Sequence, residues 1–504
     1  MRCRSAVNSL KKIFNYAYLV TFYVVSVIAI TTVIKDCFIA GVLAFPVMLF
    51  VIYLLLKRNR TQPRNPKKYL WPILQLFSTG VMLCFAFVLA VKFSWDWGDL
   101  IRTAYEIATG QEISWLEYYA RYPNNRFWLT VLTGLFKVVV FFSKEPSIVV
   151  CKVVTVFCSV TFVQLTIFLI YKTAQKIWDA EKALIVGCAA LLFLPFYLYS
   201  QFAYTDTPSM LLIVCMACLY IQYRQSDDSK LKHYLLFAVI GVLSALIYQI
   251  KIMGLIVTIA IMIDSCLSLN DLQKAKKGLI SLVAFGLAFV CCMGVTNVMA
   301  NRTIPISEEL SQKYEFPFTH WVMMGLGKSG GYNQADVDYS ISFGSYDEKV
   351  EGNIAEIKNR LSERGVHGTA KHLLVTKVAR TWGNDHFAGA DYVHRKPVYP
   401  GTWMHDIFTL DGEKGFVRDI YTGIYHIAML LGILLACVFA LKNKHDDPLL
   451  FARIALFGMT IFMIIWECNS RYLMTFAPLL LLCSCDGWFK GIGYSRKKLL
   501  LGVK

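Results

Sequence analysis

Charge is what this chain has little of. Only 17% of its 504 residues are Asp, Glu, Lys or Arg, against roughly 25% in soluble proteins. Within that small set the acids are scarcer, 34 against 51 Lys and Arg. Proline is also thin, at 14 residues. With a hydrophobic share of 56%, such a chain is neither disordered, nor collagen-like, nor a string of soluble domains. The net charge of +17 would suit nucleic-acid binding in a soluble protein, but no hydrophilic domain of that kind is present to carry a basic patch. Cysteine is not scarce, at 15, yet most lie in apolar runs (Cys151, Cys158, Cys188, Cys215, Cys218, Cys291, Cys292), where they read as small hydrophobes. Residues 301–418, the longest polar segment, have none, which excludes a disulfide scaffold there.

What fills the space left by charge is long apolar runs. About 20 residues span a bilayer core, and runs of that kind fall near 14–34, 36–56, 70–92, 147–171, 184–200, 208–223, 234–250, 252–269, 278–300, 419–441, 449–467 and 472–488. The expected fold is an all-α polytopic membrane protein of about twelve spans. The first run reads as a span, since no small-residue cleavage site follows it before the next. Phe127–Phe142, interrupted by Lys137, is a thirteenth apolar stretch, and counting it as a crossing scrambles the loop charges. Left out, it gives alternate short loops holding about half of all Lys and Arg, while the opposite short loops hold only Lys35, Lys251 and Arg471. The positive-inside rule then makes the basic class cytoplasmic, with both termini cytoplasmic and Phe127–Phe142 lying along the outer interface. The chain divides into 1–69, two extra spans and a basic loop; 70–300, a membrane core with an outer loop 93–146; 301–418, a small α-rich extracytoplasmic segment; and 419–504, the last spans and a basic tail.

That sorting gathers polar chemistry on the outer face. Asp96 and Asp99 share a face of one helix at a membrane exit. Asp206 precedes Thr207 and Pro208 at a helix start, a position capping alone accounts for. Lys251 stands in a short outer turn where snorkelling alone would place it, and Arg471 in W-E-C-N-S-R-Y lies on the same side with Tyr472. Acid plus cations at an outward interface suit group transfer from a lipid-phosphate donor: a carboxylate takes the acceptor's proton and cations stabilise the departing phosphate. Only Asp264 and Lys152 lie well inside spans, and no internal repeat is clear, so transport is the lesser reading.

The chain resembles the GT-C glycosyltransferases of the bacterial protein-mannosyltransferase and aminoarabinose-transferase type. The resemblance lies in Asp96 eight residues before Ala104, Gly110, then Y-A-R-Y-P-N-N-R-F-W-L, Asp206 before a Pro, Lys251, and R-Y-L-M-T-F-A-P. It implies Asp96 as the acceptor-activating base with Asp99 sharing the role, Asp206 as a second active-site acid, and Lys251, Arg471 and Tyr472 at the donor phosphate. It implies a polyprenyl-phosphate-linked sugar as donor and a cell-envelope polymer, lipid or protein as acceptor, at the plasma membrane. Asp96-Trp97 stands where many relatives have Asp-Glu, and Pro123-Asn124 where they have Pro-Pro. Tyr122, Asn124, His320 and Lys328 are the loop residues expected near the acceptor.

H-W-V-M-M-G-L-G-K-S-G-G-Y-N, within 301–418, reads as a Gly-rich loop over the site mouth. Val322 occupies the place where a phosphate loop needs Gly. His320, His367, His372, His386, His394 and His405 show no zinc spacing, so no metal ligands are assigned; no cofactor is certain, and a divalent metal stays open. Residues 368–382 look like an amphipathic basic helix on lipid or on the bundle. The rival readings are a lipid-linked-sugar flippase or transporter, and a glycan ligase or polymerase.

Overall fold

The computed structural model describes residues 2–58, 69–143, 145–225, 230–268, 272–442 and 447–500. Among these no strand forms, and the one isolated bridge joins Val91 to Pro397. In chain order the helices are α1 (Arg2–Asp36), α2 (Phe38–Arg58), α3 (Leu70–Val88), α4 (Trp95–Thr109), α5 (Leu116–Arg121), α6 (Arg126–Phe142), α7 (Ile148–Ile177) and α8 (Ala180–Leu191). Next come α9 (Leu194–Leu198), α10 (Asp206–Gln225), α11 (Lys230–Ile250), α12 (Leu255–Leu267) and α13 (Leu272–Thr303). The polar segment holds α14 (Glu308–Tyr314), α15 (Phe318–Gly325), α16 (Gln334–Ile341), α17 (Tyr346–Lys371), α18 (Lys377–Trp382), α19 (Gly389–His394) and α20 (Trp403–Phe408). The chain ends with α21 (Gly415–Lys442), α22 (Leu450–Ile465) and α23 (Arg471–Leu500).

Among the described residues nine helices are long and apolar enough to cross a membrane, Pro123–Phe142 included, and Phe38–Leu54, Ile252–Leu267 and Leu450–Ile465 are shorter apolar helices. One difference from the sequence reading has a physical cause. The expected span 184–200 is broken into α8 and α9. Pro195 sits in the first turn of α9; it lacks an N–H, and its ring would strike the carbonyl of Leu191 in a continuous helix. Carbonyls freed by the break accept tyrosine hydroxyls: Ala189 from Tyr425 at 2.7 Å, Leu191 from Tyr197 at 2.6 Å, Leu192 from Tyr421 at 2.5 Å. Internal satisfaction of this kind is what a bilayer demands of backbone.

The stretch Phe127–Phe142 lies in α6. Long and apolar enough to cross a membrane, α6 nonetheless has segments of one face bonded near both of its ends. Arg126 at its start donates to the Asn301 side chain (2.7 Å) and the Ile304 carbonyl (3.2 Å), at the end of α13, and Trp128 donates to Ala203 O at 3.0 Å. Just beyond its end, Tyr105 of α4 donates to Pro146 O at 2.9 Å, and Lys152 in α7 donates to Val91 O past the end of α3. Gln249 at the end of α11 bonds Thr296 and Asn297, so α11 and α13 both finish on this side, called the site face below.

Packing in the bundle is tightest where side chains are smallest. A Cβ on Gly487 of α23 would lie 1.9 Å from the Gly432 carbonyl of α21, so only glycine permits this approach. Among the described residues, the charges deepest in the apolar helices, Lys152 and Asp264, have fixed partners. Lys152 also lies over Phe93 (5.4 Å) and Trp97 (5.5 Å). On the face opposite the site, Asp264 accepts from Tyr220 (3.0 Å) and Arg224 (3.0 Å), while buried Arg453 pairs with Asp447 at 2.6 Å. The polar segment is pinned by buried cations too: Lys349 donates to the carbonyls of Gln312 (3.1 Å) and Glu315 (3.3 Å) around the end of α14, where the helix dipole favours positive charge.

Replacing Arg453 by Met leaves the Asp447 carboxylate without its nearest cation. The expected cost is about 3–5 kcal/mol, seen as a lowered thermal unfolding midpoint of the detergent-solubilised protein; an unchanged midpoint would contradict the role given to this pair.

Candidate functional site

Three chain reversals meet on the site face. Asp206 opens α10 and is 1% exposed. Lys251 stands between α11 and the short turn that leads into α12, and its ammonium pairs with Asp206 Oδ1. Arg471 opens α23 with its Nε 3.9 Å from Asp206 Oδ2, and neither of those two atoms has a hydrogen-bond partner. One carboxylate therefore serves two cations incompletely. Burial pushes the Lys251 amine down to about 8, against the opposing pull of Asp206; the low-dielectric surroundings penalise its charged form.

Aromatic rings supply what the carboxylate does not. The Arg471 guanidinium lies over Tyr204 (5.3 Å), Tyr392 (5.5 Å), Tyr472 (5.6 Å) and Trp95 (5.7 Å), and Lys251 lies over Tyr472 at 5.2 Å. Each such contact is worth about 0.5–2 kcal/mol, more when desolvated. Trp95 reaches its place through a strained backbone, φ +47, a conformation that a bulky residue adopts only when its surroundings impose it. The next residue, Asp96, is half-buried in the first turn of α4 and accepts from the Tyr204 hydroxyl at 3.2 Å. Tyr204 thus stands between Asp96 and Arg471. Asp99, one turn on, is half-buried, and its carboxyl is raised above the usual range by burial and by the neighbouring charge of Asp96.

The Gly-rich loop closes the other side. Gly330 adopts φ +72 and accepts from the Cys468 N–H at 2.8 Å, while the Tyr332 N–H donates to Glu467 at 3.2 Å. Arg360 and Arg364 of α17, His372 just after it and Lys377 of α18 grip carbonyls of α15, of this loop and of the Trp466 segment: Arg360 on Met323 (2.7 Å), His372 on Gly325 (3.0 Å), Arg364 on Gly327 (3.1 Å) and Lys377 on Trp466 (2.6 Å). Within 368–382, where a basic amphipathic helix is expected, His372 and Lys377 turn inward onto α15 and the Trp466 segment.

Asp96, Asp99, Asp206, Lys251, Arg471 and Tyr472 come together on one face. The acceptor-side residues are more scattered. His320 is buried, stacked on Phe316 at 3.8 Å and bonded to Ser340 at 2.7 Å, with its ring held neutral by burial, down to about 3. Tyr122 joins the same aromatic group, 5.9 Å from Phe316. Asn124 and Lys328 are exposed. Trp95, Tyr204, Tyr392 and Glu467 escaped the sequence reading. Trp95 and Tyr204 lie within two residues of an acid already singled out and Glu467 four before Arg471, whereas nothing local marks Tyr392.

Chemically, Asp96 offers a carboxylate with a single hydrogen bond, suited to accepting a proton. Lys251 and Arg471 offer two cations with one shared counter-charge, suited to an anion. As a metal cage the acids fit poorly: Asp206 is engaged by the cations, and among the described residues no group of three or more His, Cys, Asp or Glu meets the spacing an ion needs.

Residues 24–488 match a family model described as CHIM_prot, conserved hypothetical integral membrane protein. No curated protein matches the chain. Among solved structures it is similar to the oligosaccharyltransferase AglB from Archaeoglobus fulgidus in complex with an inhibitory peptide and a dolichol-phosphate, at 13% identity over 85% of this chain and 52% of that one, TM-score 0.43. It is similar to the same organism's oligosaccharyltransferase tethered with an acceptor peptide, at 13% identity over 87% and 51%, TM-score 0.43. A third is ArnT from Cupriavidus metallidurans bound to undecaprenyl phosphate, at 13% identity over 83% and 78%, TM-score 0.35. The chain spans about half the length of the oligosaccharyltransferases.

An anion held by Lys251 and Arg471 should weaken as pH rises. A phosphate monoester keeps its charge between about pH 7 and pH 9, while Lys251 loses its proton near 8. Titration calorimetry with phenyl phosphate is expected to show affinity falling across that window in the wild type and holding in K251R, which stays charged. A flat wild-type profile would remove Lys251 from the anion site.

Proposed function

We propose that this chain, which belongs to the family of conserved hypothetical integral membrane proteins, CHIM_prot, transfers one sugar from a polyprenyl-phosphate carrier to an acceptor hydroxyl on the outer face of the membrane, with inversion. The observation that carries this reading is the pairing of an open carboxylate, Asp96, with a two-cation clamp centred on buried Asp206, on either side of Tyr204. Asp96, with Asp99 beside it, takes the proton of the acceptor hydroxyl. The freed oxygen attacks the anomeric carbon, and the bond from that carbon to the phosphate oxygen breaks. The phosphate leaves with the electron pair, stabilised by Lys251 and by the planar fork of Arg471. Asp206 keeps both cations in place.

In this reading 70–300 supplies the catalytic membrane core, 301–418 the acceptor side through the Gly-rich loop, and the site lies outside the cytoplasm with both termini inside. The acceptor is a cell-envelope polymer, lipid or protein. Engagement of Asp264 and Lys152 by fixed partners favours the enzyme over a flippase, which needs water-accessible charges deep in the bundle.

In proteoliposomes given radiolabelled polyprenyl-phosphate sugar outside only, the wild type is expected to form product without flipping the donor. D96N, inserted and folded, should lose about 10²–10⁴-fold in rate. Full transfer in both D96N and D99N would overturn the proposal.

A further inference from the structure

Glu467 takes no part in the proton transfer or the anion clamp described above, yet it is only 2% exposed. Its two oxygens serve two different partners. Oε1 accepts from the backbone N–H of Tyr332 in the Gly-rich loop at 3.2 Å, and Oε2 from the Tyr472 hydroxyl at 2.5 Å. The Tyr472 ring in turn lies under both Lys251 and Arg471. One buried carboxylate thus joins the seat of a loop to the ring that supports two cations. The seat itself is specific: a Cβ on Gly330 would come within 2.7 Å of Lys377 Cγ, so the loop reaches the strand of chain at Glu467 and Cys468 only with glycine there.

We propose that Glu467 is a positioning residue, a latch through which docking of the Gly-rich loop and retention of a phosphate anion on Lys251 and Arg471 favour one another. The proposal rests on the reading of that cation pair as a phosphate clamp. An ionised carboxylate accepts both bonds, whereas a carboxamide accepts through one oxygen and turns an N–H toward either the Tyr472 hydroxyl or the Tyr332 N–H. Withdrawing the loop strips a donor from a buried acid, which is costly, and loosens the constraint on Tyr472. Burial raises the Glu467 carboxyl, and the Tyr472 hydroxyl and Tyr332 N–H act against that rise. Coupling between two sites is reciprocal: whatever the closed loop adds to phosphate affinity, bound phosphate must add to loop closure.

The test uses the full chain in nanodiscs with farnesyl phosphate as probe, reading hydrogen exchange of residues 327–333 and the probe's affinity. In the wild type the probe is expected to slow exchange of 327–333. In E467Q, exchange without probe should quicken, affinity should fall by about tenfold, and the probe should no longer protect the loop, while α10 exchanges as before. E467D should restore part of the protection. Y472F cuts the same link from the other side and keeps the test available if E467Q does not assemble: its loop should exchange near the wild-type rate without probe, yet gain no protection from it. Undiminished protection by the probe in E467Q or Y472F would overturn the latch, as would loop exchange in probe-free E467Q equal to the wild type. Failure of the wild type to bind the probe would instead refute the clamp reading of Lys251 and Arg471.

Discussion

A carboxylate buried at the meeting of three chain reversals constrains everything around it. Asp206 is nearly sealed from solvent, and an unpaired carboxylate there would cost several kcal/mol. Its own helix start helps, because the N-terminus of α10 favours negative charge. Arg471 has the opposite difficulty: it is a cation at the N-terminus of α23, where the dipole repels it. The ring box of Trp95, Tyr204, Tyr392 and Tyr472 and the nearby Asp206 answer that repulsion. The turns before α10, α12 and α23 are thereby held to a common point, and the distance from Asp96 to the cations is set by one intervening tyrosine.

Around that point the structure separates what is rigid from what can move. Buried pairs far from the site, such as Arg453 with Asp447, hold the opposite ends of the helices, and glycine contact between α21 and α23 fixes their spacing. The Gly-rich loop instead is seated by hydrogen bonds from Arg364 of α17 and with the Glu467–Cys468 segment. Bonds of that kind can be exchanged without disturbing the bundle, which suits the loop to the movement proposed for it.

Much of the fold was legible in the sequence because a bilayer leaves few choices: apolar length sets the spans and charge sets their sides. Charge counting expects both ends of Phe127–Phe142 on one side; in the structure Arg126 at its start bonds Asn301 at the end of α13, and Pro146 beyond its end bonds Tyr105 of α4. The break at 184–200 was hidden because Pro195 alone does not announce the tyrosines that make it tolerable. Asp96, Asp206, Lys251 and Arg471 could be grouped from sidedness alone. Tyr392 and Glu467 could not, since their roles depend on tertiary contacts across segments far apart in the chain. His320 was drawn in by its neighbours in sequence, and the structure places it in a separate apolar group with Phe316.

The most direct test of the central claim is a cryo-electron microscopy map of the full chain with a bound polyprenyl phosphate. The phosphate is expected within about 3 Å of both the Lys251 ammonium and the Arg471 guanidinium, the range of charge-assisted hydrogen bonds, with Asp206 still between them and Asp96 facing the vacant position beside the phosphate. A phosphate bound elsewhere on the bundle, with Lys251 and Arg471 unchanged, would contradict it.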